Sequence, residues 1–348
     1  MIYTNQKTNG VILLKKGTFL SPIFAIVLLF GLFTPSVAKA NDVVTQAEHL
    51  LTWQMEHGGW TKDSPHIYTR DWDGSEPRSV WISNGQELGT VDNDATVSEL
   101  LVVAQAYQLT GDQRFLDSAN AAIDFLFKLQ YESGGITQVY PERGTPSDNV
   151  WYSNYVTFND QAMINVLEVM EQIANQEAPF DGDFGNDELR AELFDAIDLG
   201  LDYILKSQII SQGKPTAWGQ QHHPETYEPM PGRAYEHVSI SADESVGVVE
   251  WLQARPDQTP EVKNAVNNAL RWFEKAKVKN TRYERRVEPH FFNEQGAQTW
   301  YRFYQIGTNR PIFSGRDGVI RHKIMEIEEE RRLGYAWAGN WPERVLNK

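Results

Sequence analysis

Asp92, Asn93 and Asp160 are the residues whose types and spacing first suggest chemistry. They supply carboxylate and amide oxygens from two separate polar clusters, Thr90-Val91-Asp92-Asn93-Asp94 and Thr157-Phe158-Asn159-Asp160, each followed by a long apolar run. Hard oxygens in that arrangement suit Ca²⁺, which accepts carboxylates, amide carbonyls and water in flexible geometry. The same residue types are also favoured helix N-caps, worth about 1 kcal/mol each, so capping and metal binding stand as equal readings. A third cluster, Ser239-Ile240-Ser241-Ala242-Asp243, precedes another apolar run. His222-His223 near Glu225 lacks the spacing of a zinc pair and is expected at the surface or against a ligand. With no cysteine in the chain, disulfides, thiolate metal sites and a thiol nucleophile are excluded.

A second concentration of chemistry lies near the C-terminus. Arg302, Arg310, Arg316, Arg321, Arg331 and Arg332 are interleaved with Tyr301, Phe303, Tyr304, Phe313, Tyr335, Trp337 and Trp341. Guanidinium groups match carboxylates bidentately, and aromatic faces suit sugars. Pairing with the Glu326–Glu330 run accounts for Arg331 and Arg332 but leaves Arg302, Arg310 and Arg316 for an anionic ligand. The chain carries a net charge of −15 over 348 residues, so duplex nucleic acid is excluded as a main partner.

The elements that must position these groups follow from a repeat. Leu51-Thr52-Trp53-Gln54 leads to Gly58-Gly59-Trp60, Phe127-Lys128-Leu129-Gln130 to Gly134-Gly135-Ile136, and Leu205-Lys206-Ser207-Gln208 to Thr216-Ala217-Trp218-Gly219. The segment from Asp112 to Glu132 is amphipathic, whereas 94–109, 160–175 and 241–252 contain no Lys or Arg and are apolar on most sides. Alternation of half-exposed and buried helices predicts an all-α fold, an (α/α)3 toroid of three hairpins whose long loops form the cleft. An open helical solenoid is the alternative. If the buried helices all begin at one end, the polar clusters converge on one mouth.

The first forty residues read as a secretory signal peptide: Lys7, Lys15 and Lys16, an apolar run from Phe19 to Phe33, then Ala38-Lys39-Ala40. Cleavage after Ala40 removes four lysines and no acid, taking the net charge from −15 to −19. The mature chain, 41–348, is then a single domain, secreted or periplasmic in a bacterium and free of the membrane.

Six fragments in order carry a family resemblance: Gly58-Gly59-Trp60-Thr61-Lys62, Val91-Asp92-Asn93, Gly134-Gly135-Ile136-Thr137-Gln138-Val139-Tyr140-Pro141, Thr157-Phe158-Asn159-Asp160, Gly232-Arg233-Ala234-Tyr235-Glu236, and the run from Arg302 to Trp341. Together they resemble pectate lyases of polysaccharide lyase family 10. The resemblance implies an α/α toroid and calcium-dependent β-elimination on polygalacturonate or oligogalacturonides, by an enzyme expected to be a monomer. It places the catalytic base on Arg233, the calcium ligands on Asp92 and Asp160 with Asn93 close by, and the substrate-carboxylate contacts on Arg302 and Arg316, with Lys62 and Arg310 as further candidates. Thr61 and Thr137 stand where the family usually has proline, which bears on subsite shape. An arginine base must lose a proton it holds to above about pH 12, so positive neighbours or an alkaline optimum are expected around Arg233. The competing chemistry is a glycoside hydrolase on an acidic polysaccharide, with Asp92 and Asp160 as acid and base.

Overall fold

Three glutamines set the spacing of the helices. The computed structural model describes residues 37–62 and 67–347, within one compact unit beginning at Val37. Its long helices are α1 (Val37–Trp53), α2 (Val97–Thr110), α3 (Gln113–Lys128), α4 (Ala162–Ala174), α5 (Asp187–Lys206), α6 (Glu244–Ala254) and α7 (Pro260–Ala276). The Gln54 amide donates to Gly58 O (2.8 Å) and to Ser118 O in α3 (2.9 Å). Gln130 likewise joins its own turn at Gly134 O (3.0 Å) to Ala196 O in α5 (2.8 Å). Gln208 joins Thr216 O (3.0 Å) to Ala265 O in α7 (2.9 Å). The repeat seen in the sequence is therefore a stitch from the loop after one helix to the middle of the next flanking helix. Glycine at Gly134 has a plain cause. Its φ is +92°, and a Cβ there would lie 2.0 Å from Leu199 O.

Helices α2, α4 and α6 pack along one another, and α3, α5 and α7 lie against them. Residues of all these helices meet in one large core that also takes in Trp53, Trp60, Trp218 and Trp300. Capping separates the two sets. Asp112 caps α3 by accepting from Arg114 N (3.0 Å), Asn186 caps α5 from Leu189 N (2.8 Å), and Thr259 caps α7 from Val262 N (3.3 Å). No side-chain cap forms at the starts of α2, α4 or α6. These helices also begin later than their apolar patterns predict, at Val97, Ala162 and Glu244. Asn93, Asp94 and Thr96, and then Asp160 and Gln161, hold positive φ angles of 51–64° that a right-handed helix cannot include.

The all-α expectation fails. The described residues are 44% helical and 16% strand, with several sheets, and do not form a pure α/α toroid. After α7 it turns to antiparallel sheet: Val278–Tyr283 pairs with Phe291–Tyr301, whose end pairs with Ala338–Gly339. A four-stranded sheet runs in the order Ile240–Ser241, Phe303–Tyr304, Pro311–Ser314, Ile320–Arg321. The residues between Val278 and Ile320 are rich in Thr, Tyr, Phe and Trp, which fit a pleated, half-buried surface. Phe303, Ile312 and Phe313 of this stretch join Tyr235, Ile324, Ile327 and Trp337 in a second core. The expected signal peptide lies outside the described residues up to 36, while Val37–Ala40, around the expected cut, form the first turn of α1. Among the described residues no helix is long and apolar enough to cross a membrane.

Candidate active site

The uncapped starts of α2, α4 and α6 carry the polar residues that the fold leaves free of capping duty. Asp92–Asp94 and Asn159–Gln161 are single 3₁₀ turns packed against each other. Neither Asp92 nor Asp160 serves as the cap of α2 or α4. Lys62 Nζ donates to Asp92 Oδ2 (3.0 Å) and to Asn93 Oδ1, so these two oxygens already converge on one cation. Asp160 Oδ2 accepts from Asn159 Nδ2 (2.6 Å). Burial raises the pKa of Asp160, the charges of Glu244 and Asp92 add to the rise, and those of Arg302 and Arg233 oppose it. The two aspartates and two arginines named from the sequence thus share one electrostatic neighbourhood.

Arg233 is held by a residue that the sequence reading left without a role. Its Nε donates to Glu236 Oε2 (2.8 Å), its Nη2 to Glu236 Oε1, and its backbone N to Glu236 Oε2 (2.9 Å). Arg302 and Arg331 share the Tyr335 ring with it, but the Glu236 carboxylate is the charge in direct contact. Burial alone would lower the pKa of Arg233, but the ion pair with Glu236 overrides burial and raises it above the ordinary arginine value. Burial would raise Glu236 in turn, and Arg233 overrides that and holds it below the ordinary value.

From Glu236 the hydrogen bonds continue inward. Tyr335 Oη donates to Glu236 Oε1 (2.8 Å) and accepts from Gln220 Nε2 (3.3 Å). Gln220 Nε2 also donates to Asn159 Oδ1 (2.7 Å) and Glu244 Oε1 (3.0 Å). Glu244, 1% exposed, accepts from Arg302 Nη2 and from Ser241 Oγ. Asp243 stands 3.4 Å from Arg302 Nη1; burial and the Glu244 charge push its pKa up to about 7 against the pull of Arg302. One buried network therefore links the Arg233 loop, the Asp160 turn and Arg302. The Arg302 guanidinium also lies 5.0 Å from the Tyr335 ring centre, and that of Arg233 6.0 Å from it.

The structure gives several of the residues named from the sequence a setting of their own. Arg302 is 8% exposed and paired with Asp243 and Glu244. Arg316 pairs with Glu330 (2.9 Å), the partner assigned from sequence to Arg331 and Arg332. Arg332 instead donates to Glu288 (2.8 Å), and Arg331 stacks over Tyr235 at 4.3 Å, with Glu330 at 3.7 Å. Arg310 lies at the turn of the Phe303–Ser314 hairpin, opposite Gln305 and away from Arg302. Phe303, Phe313 and Trp337 are core residues and not sugar platforms. His222 is fully buried, with Nδ1 on Tyr227 O (2.9 Å) and Nε2 accepting from Gly219 N (2.9 Å), and burial drops its pKa to about 4. The residues that sequence reasoning missed are Gln220, Glu236, Glu244 and Tyr335. Glu236 sat inside a quoted motif, and Glu244 one residue beyond the third polar cluster.

The donor set at the paired turns fits a hard cation in kind: two carboxylates and an amide oxygen, two of them already turned toward the Lys62 ammonium. Among the described residues no group of three or more His, Asp or Glu is placed to hold a metal by itself. Substrate and water oxygens would have to complete the six to eight that calcium takes.

Comparison with known proteins bears on the family of the whole chain. No curated protein matches the sequence. Among solved structures, a family 10 polysaccharide lyase from Cellvibrio cellulosa is 34% identical, covers 90% of this chain and 94% of its own, and superposes with a TM-score of 0.76. A point mutant of a family 10 polysaccharide lyase from the same organism, in complex with trigalacturonic acid, gives the same identity and score and is covered over 95% of its length. The profile of the pectic acid lyase family matches residues 54–346, so the chain belongs to that family and is a polysaccharide lyase.

Proposed function

We propose that this enzyme cleaves the (1→4)-α-D-galacturonan of pectate by calcium-dependent β-elimination, as an exported monomer whose mature catalytic domain is 41–348, releasing 4,5-unsaturated oligogalacturonides. The observation that carries the reading is the shared neighbourhood of Asp92, Asp160, Arg233 and Arg302 at the uncapped helix starts. Family membership and the neighbour bound to trigalacturonic acid support the substrate class.

The reaction removes the proton on C5 of a galacturonate. The C–H electron pair becomes the C4=C5 double bond, the C4–O bond breaks, and the departing oxygen is protonated from water. The difficulty is that C5 lies next to a carboxylate, so charge builds on an anion. Asp92, Asn93 and Asp160 would hold the calcium ion, which when bound neutralises the uronate charge as it grows. Lys62, already at the Asp92–Asn93 oxygens, is within the same group and would add positive charge to a bound uronate. Arg233 is the base in this reading. Its guanidine must shed a proton, and the bidentate grip of Glu236 resists that loss while fixing the group's direction. Arg302 offsets one of the two acidic charges of Asp243 and Glu244 under the site, so fewer uncompensated acids face an acidic polymer.

The test is incubation with polygalacturonate, with calcium and after chelation, following ultraviolet absorbance of the unsaturated uronide together with product length. New chain ends with matching absorbance support β-elimination. New chain ends without absorbance would mean hydrolysis, and equal rates with and without calcium would leave the aspartates another role.

A further inference from the structure

A cavity of about 490 Å³ lies between α7 and the hairpin formed by Ile210–Ser211 and Lys214–Pro215. It falls within the roughly 300–1,000 Å³ of small-ligand pockets. Three cations line it, Lys214, Arg271 and Lys275, with the neutral donors and acceptors Ser211, Gln212, Asn268 and Asn309, and with no acidic residue. Among the described residues none of the three cations pairs with a carboxylate, although most arginines of this acidic chain do. The one acid beside Lys275 on α7, Glu274, is taken by Lys277 at 2.7 Å. Arg271 Nη2 donates to Asn268 Oδ1, and its other N–H groups remain for a ligand. The rim is fixed in advance. Gln212 donates to Gly307 O (2.7 Å), Gly307 N donates to Ser211 Oγ (2.9 Å), and Trp272 Nε1 donates to Asn309 Oδ1 (2.9 Å). Arg310 stands on the adjoining turn, next to Asn309, which gives that exposed arginine a setting the active site does not.

We propose that this cavity is a second saccharide site, binding the carboxylate and hydroxyls of an acidic sugar residue and anchoring long galacturonan chains outside the catalytic mouth. Unpaired cations beside amide and hydroxyl groups are the lining an anionic sugar requires, whereas a neutral sugar would gain nothing from three charges. None of the lining residues belongs to the site at Asp92 and Asp160, so the two sites share no side chain. The choice of galacturonan rests on the proposed function.

The test follows the Trp272 indole N–H resonance, identified by its loss in Trp272→Phe, while trigalacturonate is titrated into the chelated protein. The expected result is a saturable shift that weakens about tenfold in affinity in the Arg271→Gln, Lys275→Gln double variant. Turnover of trigalacturonate should stay unchanged in that variant while KM for long polygalacturonate rises. Should the double variant fold poorly, Lys214→Gln on the exposed hairpin carries the same comparison. A Trp272 signal that never moves, or that moves identically in the variants, overturns the proposal, as does a parallel fall in trimer turnover. Failure of the galacturonan reading is seen separately, as absence of unsaturated product from the unaltered enzyme.

Discussion

Glu236→Gln addresses the hardest step, because it removes the charge that keeps Arg233 protonated while keeping the side chain's size. Two unit charges about 4 Å apart interact by about 4 kcal/mol at an effective dielectric near 20. The Arg233 side chain is 44% exposed and Glu236 only 2%, so solvent screens part of that attraction. Halving it for screening leaves about 2 kcal/mol, which is about 1.5 pH units in the ease of deprotonation. If Arg233 is the base, the rate of the parent enzyme climbs above neutrality, and in Glu236→Gln the climb begins about 1.5 units lower. The maximum rate falls at the same time, since an amide cannot accept from both guanidinium nitrogens and Tyr335 as the carboxylate does. The assay is kcat/KM for polygalacturonate against pH, at saturating calcium, by uronide absorbance. An unmoved pH profile with only a lower ceiling would refute the reasoning and leave Arg233 as a contact for substrate.

The remaining predictions are simpler. Chelation should abolish turnover and added calcium restore it, with Asp92→Ala and Asp160→Ala each raising the calcium needed by roughly tenfold or more, read from calcium titrations of rate. Gly134→Ala should cost about 3 kcal/mol or more, because its Cβ would meet Leu199 O at 2.0 Å and its φ is +92°; chemical denaturation measures it. Asp243 has a folded pKa raised to about 7. Its contribution to stability is therefore complete below the ordinary carboxylate value near 4 and is lost as pH rises through about 7. Asp243→Asn should flatten the fall in melting temperature across that window relative to the parent.

Much of the helical half was legible because its signals are local. The glutamine repeat, the paired glycines and the apolar runs each report contacts within or next to their own unit, and Gln54, Gln130 and Gln208 occupy equivalent places in the fold. The sheets were not legible in the same way. The run from Arg302 to Trp341 reads as loops with scattered arginines, because two-residue strands such as Phe303–Tyr304 are too short to show alternation. The site was half visible. Asp92, Asp160 and Arg233 stand in motifs, whereas Gln220 and Tyr335 reach the same network from 115 residues apart, and no spacing rule reports that meeting. Partners of arginine were the least readable, since Arg316–Glu330 and Arg332–Glu288 depend on how loops fold back.

The glutamine stitches have a consequence for how the molecule comes apart. Each amide is clamped between a turn and the middle of the following helix, so peeling away one helix would strip partners from carbonyls on two units at once. The flanking helices consequently open as one cooperative block, and amide exchange in α3, α5 and α7 should slow or quicken in concert.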